Sequence, residues 1–216
     1  MPTRVVVESG SKRVFASALD WPGWSRSAKT AEAALEALAE YAPRYADTPK
    51  AAAVRFPANV ADSFDVVETL RGNATTDFGA PGIVADAEHV SLTARQAARI
   101  ADLVVASWQV LDRISKASPA ELRKGPRGGG RDRDKMRQHV VSAEAGYARY
   151  LGVRHREPAF DDRRAVQALR ADIEAALRAA RAGLPDGEKG WPACYAARRI
   201  AWHVLDHAWE MEDKRT

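Results

Sequence analysis

From Thr93 onward the chain is a run of helical signals with short gaps between them, and this restricts the fold more than any single residue does. Thr93 with Gln96 has the form of a capping box and opens a helix predicted to reach about Lys116. Ser118-Pro119-Ala120-Glu121 has the same form, with proline at the first helical position, and predicts a second, short helical start. A third pattern runs from about Asp132 to Leu151 and is ended by Gly152. Asp161 or Asp162 opens another, to about Ala182, with Gly183 and Pro185 beyond it. The last runs from about Pro192 to Asp213. Four substantial helices with short connections predict an antiparallel four-helix bundle over residues 85–216.

Residues 1–80 have a different texture. Residues 4–8 and 13–19 are strand candidates around Ser9-Gly10-Ser11, which reads as a hairpin. Asp20-Trp21-Pro22-Gly23-Trp24 is a turn by its Pro-Gly pair. Thr30 caps an Ala- and Leu-rich helix to about Tyr41. Residues 63–70 alternate and predict a third strand, and residues 72–90, rich in Gly and Pro, predict a connection. The expected fold class is therefore α+β: a small N-terminal β-sheet-plus-helix module followed by the bundle.

Composition narrows the function classes. With 46% hydrophobic and 29% charged residues the chain can bury a core. A net charge of +4, from 33 basic and 29 acidic residues, is too mild to point to nucleic acid. One cysteine, Cys194, excludes an intrachain disulfide. The first residues form no apolar signal core, and no long apolar run is present. The expectation is a cytoplasmic protein with a small-molecule substrate and neither a membrane nor a nucleic-acid partner.

The chemistry points to histidine. His203 and His207 stand four apart in Trp202-His203-Val204-Leu205-Asp206-His207, which on a helix stacks two imidazoles on one face. His139 lies on a separate predicted helix. A helical wheel puts His207 at the edge of the apolar stripe and His203 further out, with Arg199 and Glu210 on the polar side; His139 falls at the edge of a stripe formed by Met136, Val140, Ala143, Tyr147 and Leu151. Val204 stands where a zinc peptidase would carry its glutamate base, which argues against that class. Glu210, one turn beyond His207, is a candidate catalytic residue that would orient a ligand or water. Asp206 points away from this face. Tyr147 and Tyr195 either donate into the cleft or pack. Cys194, nine residues before His203, is too far along the helix to be a ligand, and a core thiol is expected there. His89 and His155 fall in predicted loops and are expected to be solvated.

Residues 123–133 join glycines to arginines just ahead of the helix bearing His139, which suits a clamp for carboxylates of a substrate or thiol cofactor, with Arg127 and Arg131 as candidate binding residues; a flexible charged loop is the other reading. Trp202 and Trp209 lie together, off the main stripe, and predict contact with the N-terminal module or with a second copy in a homodimer.

These residues resemble the DinB-like superfamily of metal-binding four-helix bundles. The likeness rests on His139 with Glu144-Ala145-Gly146-Tyr147, on Arg199 through His207, and on Ser118-Pro119-Ala120-Glu121-Leu122. It covers roughly residues 90–216. It implies a divalent metal, zinc or nickel, held by His139, His203 and His207, and transferase or isomerase chemistry on a low-molecular-weight thiol. Hydrolysis is a second chemistry such a site allows. Residues 15–24 and 30–35 resemble HicB-like modules, which implies a partial ribonuclease-H fold. The alternative is a non-catalytic binding or antitoxin-like protein with a structural or vestigial metal site.

Overall fold

The computed structural model describes residues 2–125, 129–180 and 190–215. The fold is α+β. A four-stranded sheet in the order β3-β2-β1-β4 is built from β1 (Thr3–Ser9), β2 (Val14–Ala18), β3 (Ser25–Ala28) and β4 (Phe64–Arg71). β1 and β2 form the expected hairpin, antiparallel from Val5↔Ala18 to Ser9↔Val14. β3, which the Pro-Gly turn concealed, extends the sheet antiparallel to β2. β4 returns parallel to β1, with a bulge between Val5 and Val6. A parallel return needs a crossover, supplied by α1 (Ala31–Glu40), α2 (Ala42–Tyr45) and α3 (Asp47–Ala51). Thr30 caps α1 as expected, accepting from Ala33 N at 3.2 Å.

Residues 72–90 are more ordered than a plain connection. They hold α4 (Ala74–Phe78) and a 3-10 turn, Asp86–Glu88. Buried Glu8 accepts from Thr76 Oγ1 at 2.5 Å and from the amides of Gly82 and Ile83, so one carboxylate of β1 fixes this segment.

Four long helices follow: α5 (Ala94–Ala117), α6 (Arg133–Ala148), α7 (Arg163–Ala179) and α8 (Ala193–Asp213). α5 packs on α7 and α8, and α6 packs on the same two. The Thr93–Gln96 capping box forms, and Asp162 caps α7 through Ala165 N at 3.0 Å. Gly152 ends the pattern predicted from about Asp132 in the left-handed region, at φ +78°, after a 3-10 turn. The Ser118 box does not form. Ser118 is the C-cap of α5, its hydroxyl donating to Ile114 O at 2.8 Å, and no helix starts there. Gly183 and Pro185 lie outside the described residues.

One apolar cluster runs without a break from Val5 and Leu38, through Leu103 and Leu111, to Leu205 and Met211. α8 is the reason. One side of it meets α5 and α6, while Trp202 packs edge-on against Phe15 of β2 and Trp209 against Tyr41. Gly23, at φ +94°, sits where a Cβ would come within 2.7 Å of Leu205. Arg26 of β3 reaches Asp206 at 3.3 Å and Arg44 reaches Glu212 at 2.8 Å. The two tryptophans thus contact the N-terminal module, and Asp206, which the wheel turned away from the histidine face, is part of that seam.

Candidate metal centre

The three histidines meet. One ring nitrogen from each of His139, His203 and His207 lies within 4.8 Å of the others, a set able to hold a metal ion. His139 comes from α6, and the other two stand one turn apart on α8. His139 Nε2 and His203 Nε2 are 3.2 Å apart, close to the ~3.3 Å edge of a tetrahedron with metal–nitrogen bonds of about 2.05 Å. His207 donates from Nδ1 to Glu210 Oε2 at 3.0 Å, since a carboxylate can only accept. That bond assigns a ring proton to Nδ1, so Nε2 is the nitrogen of this ring left for a metal. Glu210 also takes Lys214 Nζ at 2.5 Å. Its place is behind His207, as an orienting partner, rather than towards a ligand as its position on the wheel suggested.

The burial order on α8 is the reverse of the wheel's. His203 is 8% exposed and His207 is only half-buried. A one-stripe wheel assumes one packed side, and α8 is packed on two. The stripe of α6 is also rotated: Met136, Val140, Glu144 and Ala148 are buried. Glu144 can stand in that stripe because Arg170 of α7 donates to it at 3.0 and 3.2 Å. The rotation puts His139, Ala143 and Tyr147 together on the half-buried face towards α8, and Tyr147 packs edge-on against His203 at 5.7 Å. Tyr195 is buried against Trp191 and Arg198.

The electrostatics favour lone pairs. Burial pushes His139 down to about 4, helped by the His207 and Arg131 charges and opposed by Glu210. Burial, then the neighbouring rings and Arg199, holds His203 well below the ordinary histidine range. The hydrogen bond from His207 holds Glu210 down at about 2. Rings that stay neutral at pH 7 can present lone pairs to a cation. The buried Nδ1 of His203 has no hydrogen-bond partner, and among the described residues the ring's hydrogen-bond contact is the one between its Nε2 and His139. Three clustered rings sharing so few hydrogen bonds are better satisfied around a cation than around each other. The donor set could therefore hold a metal ion.

Arg199, which the wheel put on the polar side of the last helix, is buried instead. It precedes His203 by one turn, is 8% exposed, and lies over Tyr147 and Trp202 at 5.3 and 4.9 Å. Its Nη1 is buried without a partner. Arg131 is exposed, and its charge reaches His139 and His203. Arg127 lies outside the described residues. The described part of its segment closes over the end of α8: Arg123 N donates to Lys214 O at 2.9 Å, and Lys124 pairs with Asp132. Cys194, expected as a core thiol, is only half-buried at the start of α8, and burial raises its thiol to about 11. His155 is not simply solvated but pairs with Asp172 at 2.7 Å.

Compared with protein-family models, curated proteins and solved structures, the chain matches none. No helix among the described residues is long and apolar enough to cross a membrane.

Proposed function

We propose that this protein is a metal-dependent enzyme whose three imidazoles hold one zinc or nickel ion in an antiparallel four-helix bundle, and that it acts on an anionic small molecule, a low-molecular-weight thiol being the preferred candidate. The observation that carries the reading is the convergence of His139, His203 and His207 with His207 already oriented by Glu210. The mutual packing of α5, α6, α7 and α8 supports the bundle, and the residue pattern of the DinB-like superfamily supports the metal. Held by these three rings, such an ion would lower the pKa of a thiol or water bound to it towards neutrality.

The chain's own residues supply the rest. Glu210 fixes the His207 ring and is itself held by Lys214. Arg199, with an unpartnered buried nitrogen, and Arg131 set a positive potential beside the rings, which favours a carboxylate or thiolate ligand. Tyr147 and Trp202 keep Arg199 in place and dry.

Metal analysis of protein purified without an affinity tag tests the reading. One equivalent of metal per chain is expected in the wild type, and its loss in His139→Ala, His203→Ala and His207→Ala. If the protein carries no metal and takes up neither Zn²⁺ nor Ni²⁺ on titration, the enzyme reading fails. A thermal-shift screen of the loaded protein against mycothiol, bacillithiol and glutathione then tests the thiol.

A further inference from the structure

A cleft of about 600 Å³ opens between α5, α6 and α7. It is on the far side of α6 from the histidines: Arg137, which lines it, precedes His139 by two residues and so points about 200° away from it. Cations from all three helices line this cleft: Lys116 from the end of α5, Arg133 and Arg137 one turn apart on α6, and Arg163 and Arg170 from α7. Two of the five are neutralised. Arg170 is held by Glu144 at 3.0 Å and Asp112 at 3.6 Å, and Arg133 by Asp134 at 2.8 Å. Lys116, Arg137 and Arg163 make no ion pair among the described residues, and the Arg137 guanidinium instead lies over the Phe160 ring at 4.7 Å.

Like charges gathered in one concavity repel each other unless an anion joins them. A second observation also points to a ligand. Ser115, at the wall of the cleft, is 5% exposed, and its buried Oγ has no hydrogen-bond partner. A buried hydroxyl is normally satisfied, and this one belongs to a residue that lines the cleft. The volume suits a small molecule rather than a single ion. Guanidinium forks approaching from two helices suit the tetrahedral oxygens of phosphate.

We propose that this cleft is a second binding site, separate from the histidine centre, for a small phosphorylated molecule carrying at least two negative charges. Its occupancy is independent of the metal.

Isothermal titration of the full chain with pyrophosphate tests this. Saturable binding of one pyrophosphate per chain is expected, tighter than that of citrate at the same ionic strength. Arg137→Gln and Arg163→Gln should each weaken binding by about tenfold, the worth of one charge-assisted hydrogen bond. Ser115→Ala should weaken it while leaving the thermal unfolding of the ligand-free protein unchanged, because Oγ has no native partner to lose. Arg95→Gln, at the opposite end of α5, should change nothing, and His139→Ala should bind pyrophosphate like the wild type. Absence of saturable binding, equal losses in Arg95→Gln and Arg163→Gln, citrate binding as tight as pyrophosphate, or unchanged affinity in the Arg137→Gln/Arg163→Gln double variant would each overturn the proposal.

Discussion

Arg198 and Glu88 are each 2% exposed, and Arg198 lies five residues before His203. Arg198 Nε and Nη2 donate to the two carboxylate oxygens at 2.7 and 2.8 Å, and Nη2 also donates to Ile83 O at 3.0 Å. Glu88 takes one further bond, from Ala85 N at 2.9 Å. Both carboxylate oxygens of Glu88 and two of the three guanidinium nitrogens of Arg198 are thus hydrogen-bonded inside the protein, and Glu88 keeps Arg198 charged against the effect of burial. Arg198→Met keeps most of the volume but leaves a buried carboxylate with a single amide donor. Breaking a buried pair in this way costs about 3–5 kcal/mol, a large part of the ~5–15 kcal/mol that holds a domain folded. At 2–4 °C per kcal/mol for a chain of this size, the melting temperature should fall by roughly 10 °C. Adding Glu88→Leu removes the orphaned charge and should restore most of the loss. Urea titration followed by tryptophan fluorescence, with calorimetry alongside, reads all three proteins. The part-exposed pairs of Arg44 set the contrast, at about 0–1 kcal/mol. A loss below 1 kcal/mol in Arg198→Met, or a double variant no more stable than the single, would refute the reasoning.

Other expectations follow from the same geometry. Glu210→Gln should keep the metal but weaken its binding about 10–100-fold, measured by competition with a chelator, because the His207 ring loses its charged partner. In the metal-free protein, His139 and His203 resist protonation in the fold while the unfolded chain takes up protons near pH 6.5; stability is therefore complete above pH 6.5 and declines as pH falls towards 4, as chelator-treated samples melted across that range should show. Gly23→Ala should destabilise by about 1–2 kcal/mol from the positive φ alone, with more from the contact with Leu205, read by urea denaturation. Trp202→Ala should cost about 3–5 kcal/mol by emptying the contact between α8 and Phe15, and limited proteolysis should then release the N-terminal module first.

Local signals in the sequence were enough wherever a structural choice is made within a few residues. Thr30, Thr93 and Asp162 cap the helices that follow them, Gly152 ends one in a conformation other residues avoid, and the β1–β2 hairpin lies at its turn. The i, i+4 spacing of His203 and His207 likewise fixed their stacking once α8 was helical. Contacts from distant segments decided the rest. Ser118 has a capping sequence, yet its hydroxyl is taken by the end of α5 and its carbonyl by Arg133. The stripe of α6 turned because Arg170, from another helix, made it affordable to bury Glu144. α8 is buried on two sides because a sheet some 180 residues earlier packs against it, as the Arg26–Asp206 separation records. That two-sided burial is what takes His203 and Arg199 out of water. The sequence alone determined which residues could form a metal centre. Only the tertiary structure decided that the rings converge, that burial holds His139 and His203 below the ordinary histidine range, and that Arg199 brings a buried Nη1 without a hydrogen-bond partner beside them, because convergence and desolvation depend on surroundings that no local pattern encodes.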